Sequence, residues 1–158
     1  MVVRCSGCLS LSKGHGYVKS SIIEHSASSG MHLSDYQDAD VVLNTFSNNA
    51  AHGIYYSYYA NVNFDYNDFY GNGQNAVYVS SGVLTSYLQN NEAANNGING
   101  IVIQSLAPGY DHVFRNGAGL YNNDFPFVFL NDITFNNSEY IYVYPQTHMK
   151  FSPAVSIN

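Results

Sequence analysis

Apolar and polar residues alternate along this chain in short bursts, and the bursts return at a nearly constant interval. Met31 of GMHLS, Ile54 of GIYYS and Val77 of AVYVS are 23 residues apart; Ile101 of GIVIQ follows after 24 and Phe127 of PFVFL after 26. Cys8 of GCLSL lies 23 residues before Met31. Two positions further on, Leu33, Tyr56, Val79, Ile103 and Phe129 are again apolar, with Ser10 the exception in the first copy. A period of two within each burst is that of a short strand with one buried face. The longer period marks a repeat architecture.

A polar column keeps the same beat. Asn44, Asn67, Asn90 and Asn116 recur at spacings of 23, 23 and 26. The first two sit in V-x-L-N-T-F and F-x-Y-N-D-F, an apolar strand followed by Asn and a further aromatic. Asn tolerates the left-handed conformation and satisfies turn backbone through its amide. Identical Asn side chains stacked at one strand spacing bond to one another as a ladder. A copy of this length with short strands and tight corners predicts one coil of a parallel β-solenoid. Leucine-rich repeats need a Leu-dominated pattern and a helical side, and hairpin repeats need turn pairs between paired runs; neither is present. The fold expected is all-β: one right-handed parallel β-helix of about six coils with a 23–26 residue period.

The segments GIYYSYYANVNFDYNDFYGNG, GMHLSDYQDADVVLNTFSNN and VKSSIIEHSASSG resemble the coils of the right-handed parallel β-helix repeat family, the pectin-lyase-like group of carbohydrate-binding and sugar-hydrolysing proteins. The resemblance spans residues 7–144. It implies the fold and not one activity, because that group holds lyases, hydrolases, epimerases and phage tail spikes.

Composition narrows the partners. Charged residues make up 10% of the chain and the net charge is −6 with five Lys or Arg, which argues against nucleic acid or an anionic membrane surface. No apolar run approaches the length of a membrane span, and MVVRCSGCLSL does not read as a signal peptide. If the protein is secreted, its signal is removed or lies outside this chain. Residues 1–158 form a single domain. With the first strand starting almost at once and only IYVYPQTHMKFSPAVSIN to close the other end, the expectation is a fragment of a longer solenoid or a subunit of an end-to-end assembly.

Candidate chemistry is scattered. Cys5 and Cys8 form a lone C-x-x-C, read as an inward Cys8 beside an incidental Cys5, with a local disulfide as the alternative. Gly14-His15-Gly16 resembles a motif of polygalacturonase-type hydrolases but lacks its flanking segments, so His15 is read as a turn residue. Asp35, Asp38 and Asp40 in one coil and Asp65 and Asp68 in the next are corner carboxylates. They are alternatively a Ca²⁺ site, with Asp38, Asp40 and Asp65 as ligands, or the acid and base of a glycosidase, with Asp40 and Asp65 foremost. The outward column His32, Tyr55, Tyr78, Val102, Val128, extended by Tyr58 and Tyr59, offers a flat aromatic strip for the apolar faces of sugars. The insertion SLAPGYDHVFRNGAG gathers Asp111, His112 and Arg115. Lyases of the resembled group use a basic residue beside a uronate, with Ca²⁺ neutralising the acid. Asn136-Asn137-Ser138 is a glycosylation sequon. These features predict an extracellular carbohydrate-recognition module or a segment of a polysaccharide-acting protein. The alternative is a structural β-solenoid, a fibre, surface-appendage or tail-spike segment whose copies stack end to end.

Overall fold

The computed structural model describes residues 2–4, 9–57, 61–82, 88–114, 125–135, 139–145 and 147–157. Every named strand pairing is parallel, and each strand pairs with the one a full coil away. The chain therefore winds as a parallel β-solenoid. One side of the column is a five-stranded sheet of Val2–Arg4, Ile22–Glu24, Thr45–Ser47, Asp68–Tyr70 and Glu92–Ala94, one strand per coil. Most of the rest is a nine-stranded sheet that bends around a corner, so that Leu9–Lys19 and Met31–Val42 each serve two sides of the column, and His112–Phe114 pairs with Ile141–Val143 as a separate two-stranded sheet.

Period-two burial follows from this winding. Met31, Ile54, Val77, Ile101 and Phe127 stack in register on the axis side and are essentially inaccessible, as are Leu33, Tyr56, Val79, Ile103 and Phe129 beside them. The five-stranded side contributes Ile23, Phe46 and Phe69. The Phe46 and Phe69 rings lie parallel with centroids 5.2 Å apart, and Phe125 continues that stack at 5.7 Å. Each buried aromatic of this kind is worth about 3–5 kcal/mol against truncation to Ala.

Three registers differ from the sequence expectation. Leu9, not Cys8, stands opposite Met31, so Leu11 and not Ser10 fills the next inward position. The pairing shifts between Ser12 and Gly14, and this shift absorbs the extra residue that an even count of 23 had placed further back. Beyond Phe127, Met149–Phe151 adds another strand to the long sheet where only a cap was expected. Cys5 and Cys8 themselves lie outside the described residues.

The third difference concerns the ladder. Asn44 Nδ2 donates to Asn67 Oδ1 at 3.1 Å, and Asn67 Nδ2 to Asn91 Oδ1 at 3.0 Å. Asn90, the expected member, precedes the ladder position. It has φ 55° and donates through Nδ2 to Asp65. The coil from Asn67 to Asn91 carries one extra residue, taken up where the register shifts between Tyr56 and Ser57 so that Ser57 faces Ser81. Asn116 lies outside the described residues. A second ladder, not anticipated, runs through Asn49, Asn72 and Asn96 at the next corner and ends on Asn99.

Candidate functional site

The outward residues beside the first inward column are His32, Tyr55 and Tyr78, held in register by their strands. His32 meets Tyr55 edge-on with centroids 4.8 Å apart, and Tyr55 lies 5.6 Å from Tyr78 at a tilt of 32°. All three are half-buried. The strip is thus shorter and less open than expected: the next position, Val102, is fully buried, which ends the accessible row. Tyr58 and Tyr59 lie outside the described residues.

A fourth ring joins from the preceding corner. His52 is buried and stacks on Tyr78 with centroids 4.7 Å apart and ring planes within 8°. Its Nδ1 accepts from the side-chain amide of Asn75 at 3.2 Å and from the Asn75 backbone N–H at 3.4 Å. Two donors on Nδ1 put the proton of the neutral ring on Nε2. Burial lowers the His52 pKa, which favours that neutral form, and burial, reinforced by Tyr55, raises that of the Tyr78 phenol. The Tyr78 hydroxyl donates to Gln104 Oε1 at 3.0 Å, and His32 Nε2 lies 3.4 Å from Ser57 Oγ. The sequence did carry a signal for His52: it stands two residues before Ile54, as Ser29 stands before Met31 and Asn75 before Val77.

Beside the row, Ser28, Ser29, His32 and Tyr55 line a cleft of about 200 Å³. Two hydroxyls, an imidazole and a phenol ring make a mixed surface, with polar edges around an aromatic body.

The carboxylates do not gather as the spacing suggested. Asp40 stands opposite Asn63, while Asp65 stands opposite Val42, two positions along. Strand spacing and rise then put their backbones roughly 8 Å apart, and they do not share one stacked column. Each has its own partner: Asn63 Nδ2 donates to Asp40 Oδ1 at 3.2 Å, and Asn90 Nδ2 donates to Asp65. Asp38 is exposed opposite Asn61. Among the described residues no group of three or more His, Cys, Asp or Glu side chains converges to hold a metal ion. The offset register is the physical reason why Asp38, Asp40 and Asp65 form no Ca²⁺ cage. Asp68 stands apart on the five-stranded side between Thr45 and Glu92, and burial raises its pKa.

His15, read as a turn residue, lies within a strand opposite Asp38 and brings Nε2 to 3.6 Å from Asp40 Oδ2. The pair is solvent-exposed, so its Coulomb energy is small.

The insertion is held as structure. Asp111 Oδ1 accepts the backbone N–H of Tyr140 at 2.9 Å, and His112 is wholly buried with Nε2 3.2 Å from the carbonyl of Ala107. Burial lowers the His112 pKa, opposed by the Ala107 carbonyl and by Glu139 and Asp111. His112 meets Phe135 edge-on within the fold. Asp111, at the surface, thus ties the insertion to Tyr140, while His112 packs inside the fold. Arg115 lies outside the described residues, as does the sequon at 136–138.

Among the described residues no helix is long and apolar enough to cross a membrane. Comparison with curated proteins and with solved structures found no significant match in either. A family model described as "Right handed beta helix region" matches residues 3–152. That match covers nearly the whole chain and agrees with the parallel coils, the stacked apolar columns and the Asn ladders, so this protein belongs to the right-handed β-helix family.

Proposed function

We propose that this solenoid is an extracellular carbohydrate-recognition module, or the recognition segment of a polysaccharide-acting protein, that binds a glycan along His32, Tyr55 and Tyr78. The observation that carries this reading is the contiguous row of half-buried rings, one per coil, bordered by a cleft with hydroxyl walls. Rings repeated at the coil spacing give the strip apolar surface for a sugar chain, and the Ser, Gln and imidazole groups beside it can bond sugar hydroxyls. The link from this surface to sugars rests on the chemistry of its aromatic and hydroxyl groups and on family membership. The test is affinity electrophoresis and titration calorimetry against neutral and acidic polysaccharides. Tyr55→Ala and Tyr78→Ala should each weaken binding about tenfold or more, equivalent to about 1.4 kcal/mol. Unchanged affinity in both would remove the aromatic row as the site.

One observation favours a second reading, a structural solenoid that stacks on further copies. Met149–Phe151 pairs along one edge only among the described strands, and Phe151, Ile157 and Val143 stay exposed around an apolar pocket of about 130 Å³. Open edges and apolar ends are templates for association. Sedimentation across a concentration series distinguishes the readings: growth into long species that Phe151→Glu abolishes favours stacking, and a monomer throughout disfavours it.

A further inference from the structure

We propose that the cleft walled by Ser28, Ser29 and His32 is a subsite for one neutral sugar ring, which takes over Tyr55 the place that His52 takes over Tyr78. The proposal rests on the glycan reading above and adds where one sugar sits and of what class it is.

Adjacent coils place equivalent residues in equivalent positions. Met31 and Ile54 are register partners, as are Ile54 and Val77. Ser29 and His52 stand two residues before the first two of these, so Ser29 is to Tyr55 what His52 is to Tyr78. In the later coil the imidazole lies flat on the phenol ring at 4.7 Å. In the earlier coil a serine holds that position and no ring covers Tyr55 from there. The space left is the cleft of about 200 Å³ lined by Ser28, Ser29, His32 and Tyr55. The protein itself thus demonstrates, one coil along, that a flat ring is accommodated against this column.

The walls select among flat ligands. Ser28 and Ser29 bring hydroxyls, which both donate and accept, and the ring nitrogens of His32 add further capacity. A pyranose matches such a site with an apolar face toward Tyr55 and hydroxyls at its rim. A purely apolar ring would leave those polar groups unpaired on burial. Among the described residues, none of the side chains lining the cleft is a lysine or arginine. A uronate would enter without a cation to receive its carboxylate, which favours a neutral sugar.

The test uses the full chain and defined probes: cellohexaose, xylohexaose, mannohexaose and, as the acidic member, hexagalacturonate. Ser29→His places the imidazole of the later coil in the cleft while leaving Tyr55 unchanged. The expected result is that at least one neutral probe binds and that Ser29→His weakens it at least tenfold, with circular dichroism and denaturation midpoint like the parent. Wild-type affinity in Ser29→His, with loss in Tyr78→Ala, overturns the subsite while the broader glycan reading survives. Stronger binding of hexagalacturonate than of any neutral probe overturns the neutral class. Failure of all four probes overturns both readings. If Ser29→His does not fold, proton NMR of the parent decides. Shifts at the Tyr55 and His32 rings on adding the bound probe support the subsite, and shifts confined to Tyr78 overturn it.

Discussion

Asn67 donates through Nδ2 to the carbonyl of Val41 and to Oδ1 of Asn91, while its own Oδ1 accepts from the backbone and side chain of Asn44. All of these groups are buried, so truncating the side chain leaves several without partners, each at about 1–3 kcal/mol. Asn67→Ala and Asn91→Ala should each lower stability by about 3 kcal/mol or more in urea unfolding. Asn90→Ala should cost only about 1 kcal/mol, the strain of a left-handed backbone without Asn. Equal losses at positions 90 and 91 would contradict the observed register. Titration adds a second residue-scale expectation. Burial lowers the pKa of His52 and of His112 below the ordinary value of 6.5. Above that value both residues are neutral, folded or unfolded, and neither makes stability depend on pH. Below it the unfolded chain takes up protons first, so stability falls as pH drops from about 6.5 toward the depressed folded values. The denaturation midpoint measured between neutrality and the carboxylate range should show this decline, and His52→Gln with His112→Gln should flatten it.

At the scale of the element, four successive coils among the described residues turn two of their corners through a left-handed residue placed just before an inward polar side chain. Ser20, Leu43, Tyr66 and Asn90 form one column of positive φ, and His25, Asn48, Gly71 and Asn95 the other. The backbone bend aims the next residue inward, where Asn44, Asn67 and Asn91, or Asn49, Asn72 and Asn96, close the ladders. Leu43 and Tyr66 occupy this conformation without glycine's freedom or asparagine's local bonding, at about 1–2 kcal/mol each. Leu43 is largely exposed and contributes little packing in return. Leu43→Asn should therefore raise stability by about 0.5–1 kcal/mol, read as a higher urea midpoint with an unchanged slope. A loss would mean that the exposed leucine makes contacts that outweigh the strain. Gly53 obeys a different constraint. A Cβ there would come within 2.6 Å of the Ala76 carbonyl and of the Phe69 ring, so the coils could not stack at this spacing.

Across the whole molecule, order is graded along the column. Ile54–Ser57 and Asn75–Ser81 pair on both edges and point inaccessible side chains at the axis, whereas Ile141–Val143 is exposed at every position. A solenoid holds each coil by its neighbours alone, so the outer layers open with less free energy than the middle ones. Hydrogen exchange should therefore be slowest in Ile54–Ser57 and Asn75–Ser81 and fastest in Ile141–Val143 and Met149–Phe151. Uniform protection would indicate that something covers the far end, as the stacking reading supposes.

The fold and its period were legible because burial in a solenoid is a local rule repeated: inward positions lie two apart within a strand and one coil apart between strands, and both intervals show in the order of residues. Met31, Ile54, Val77 and Ile101 needed nothing else. Register at single-residue precision was not legible. Bulges near Ser12 and Ser57 absorb extra residues without changing the apolar pattern, so Cys8 was read for Leu9 and Asn90 for Asn91. Asp40 and Asp65 lie in a pairing with no bulge, where Asp40 faces Asn63 and Asp65 faces Val42, so the regular register itself sets them two positions apart. The site was half legible. His32, Tyr55 and Tyr78 were visible as an outward column, but the burial of Val102, the stacking of His52 and the space over Tyr55 depend on side chains from adjacent coils. Those are set by which residue faces which across the coil spacing, and only the three-dimensional register decides that.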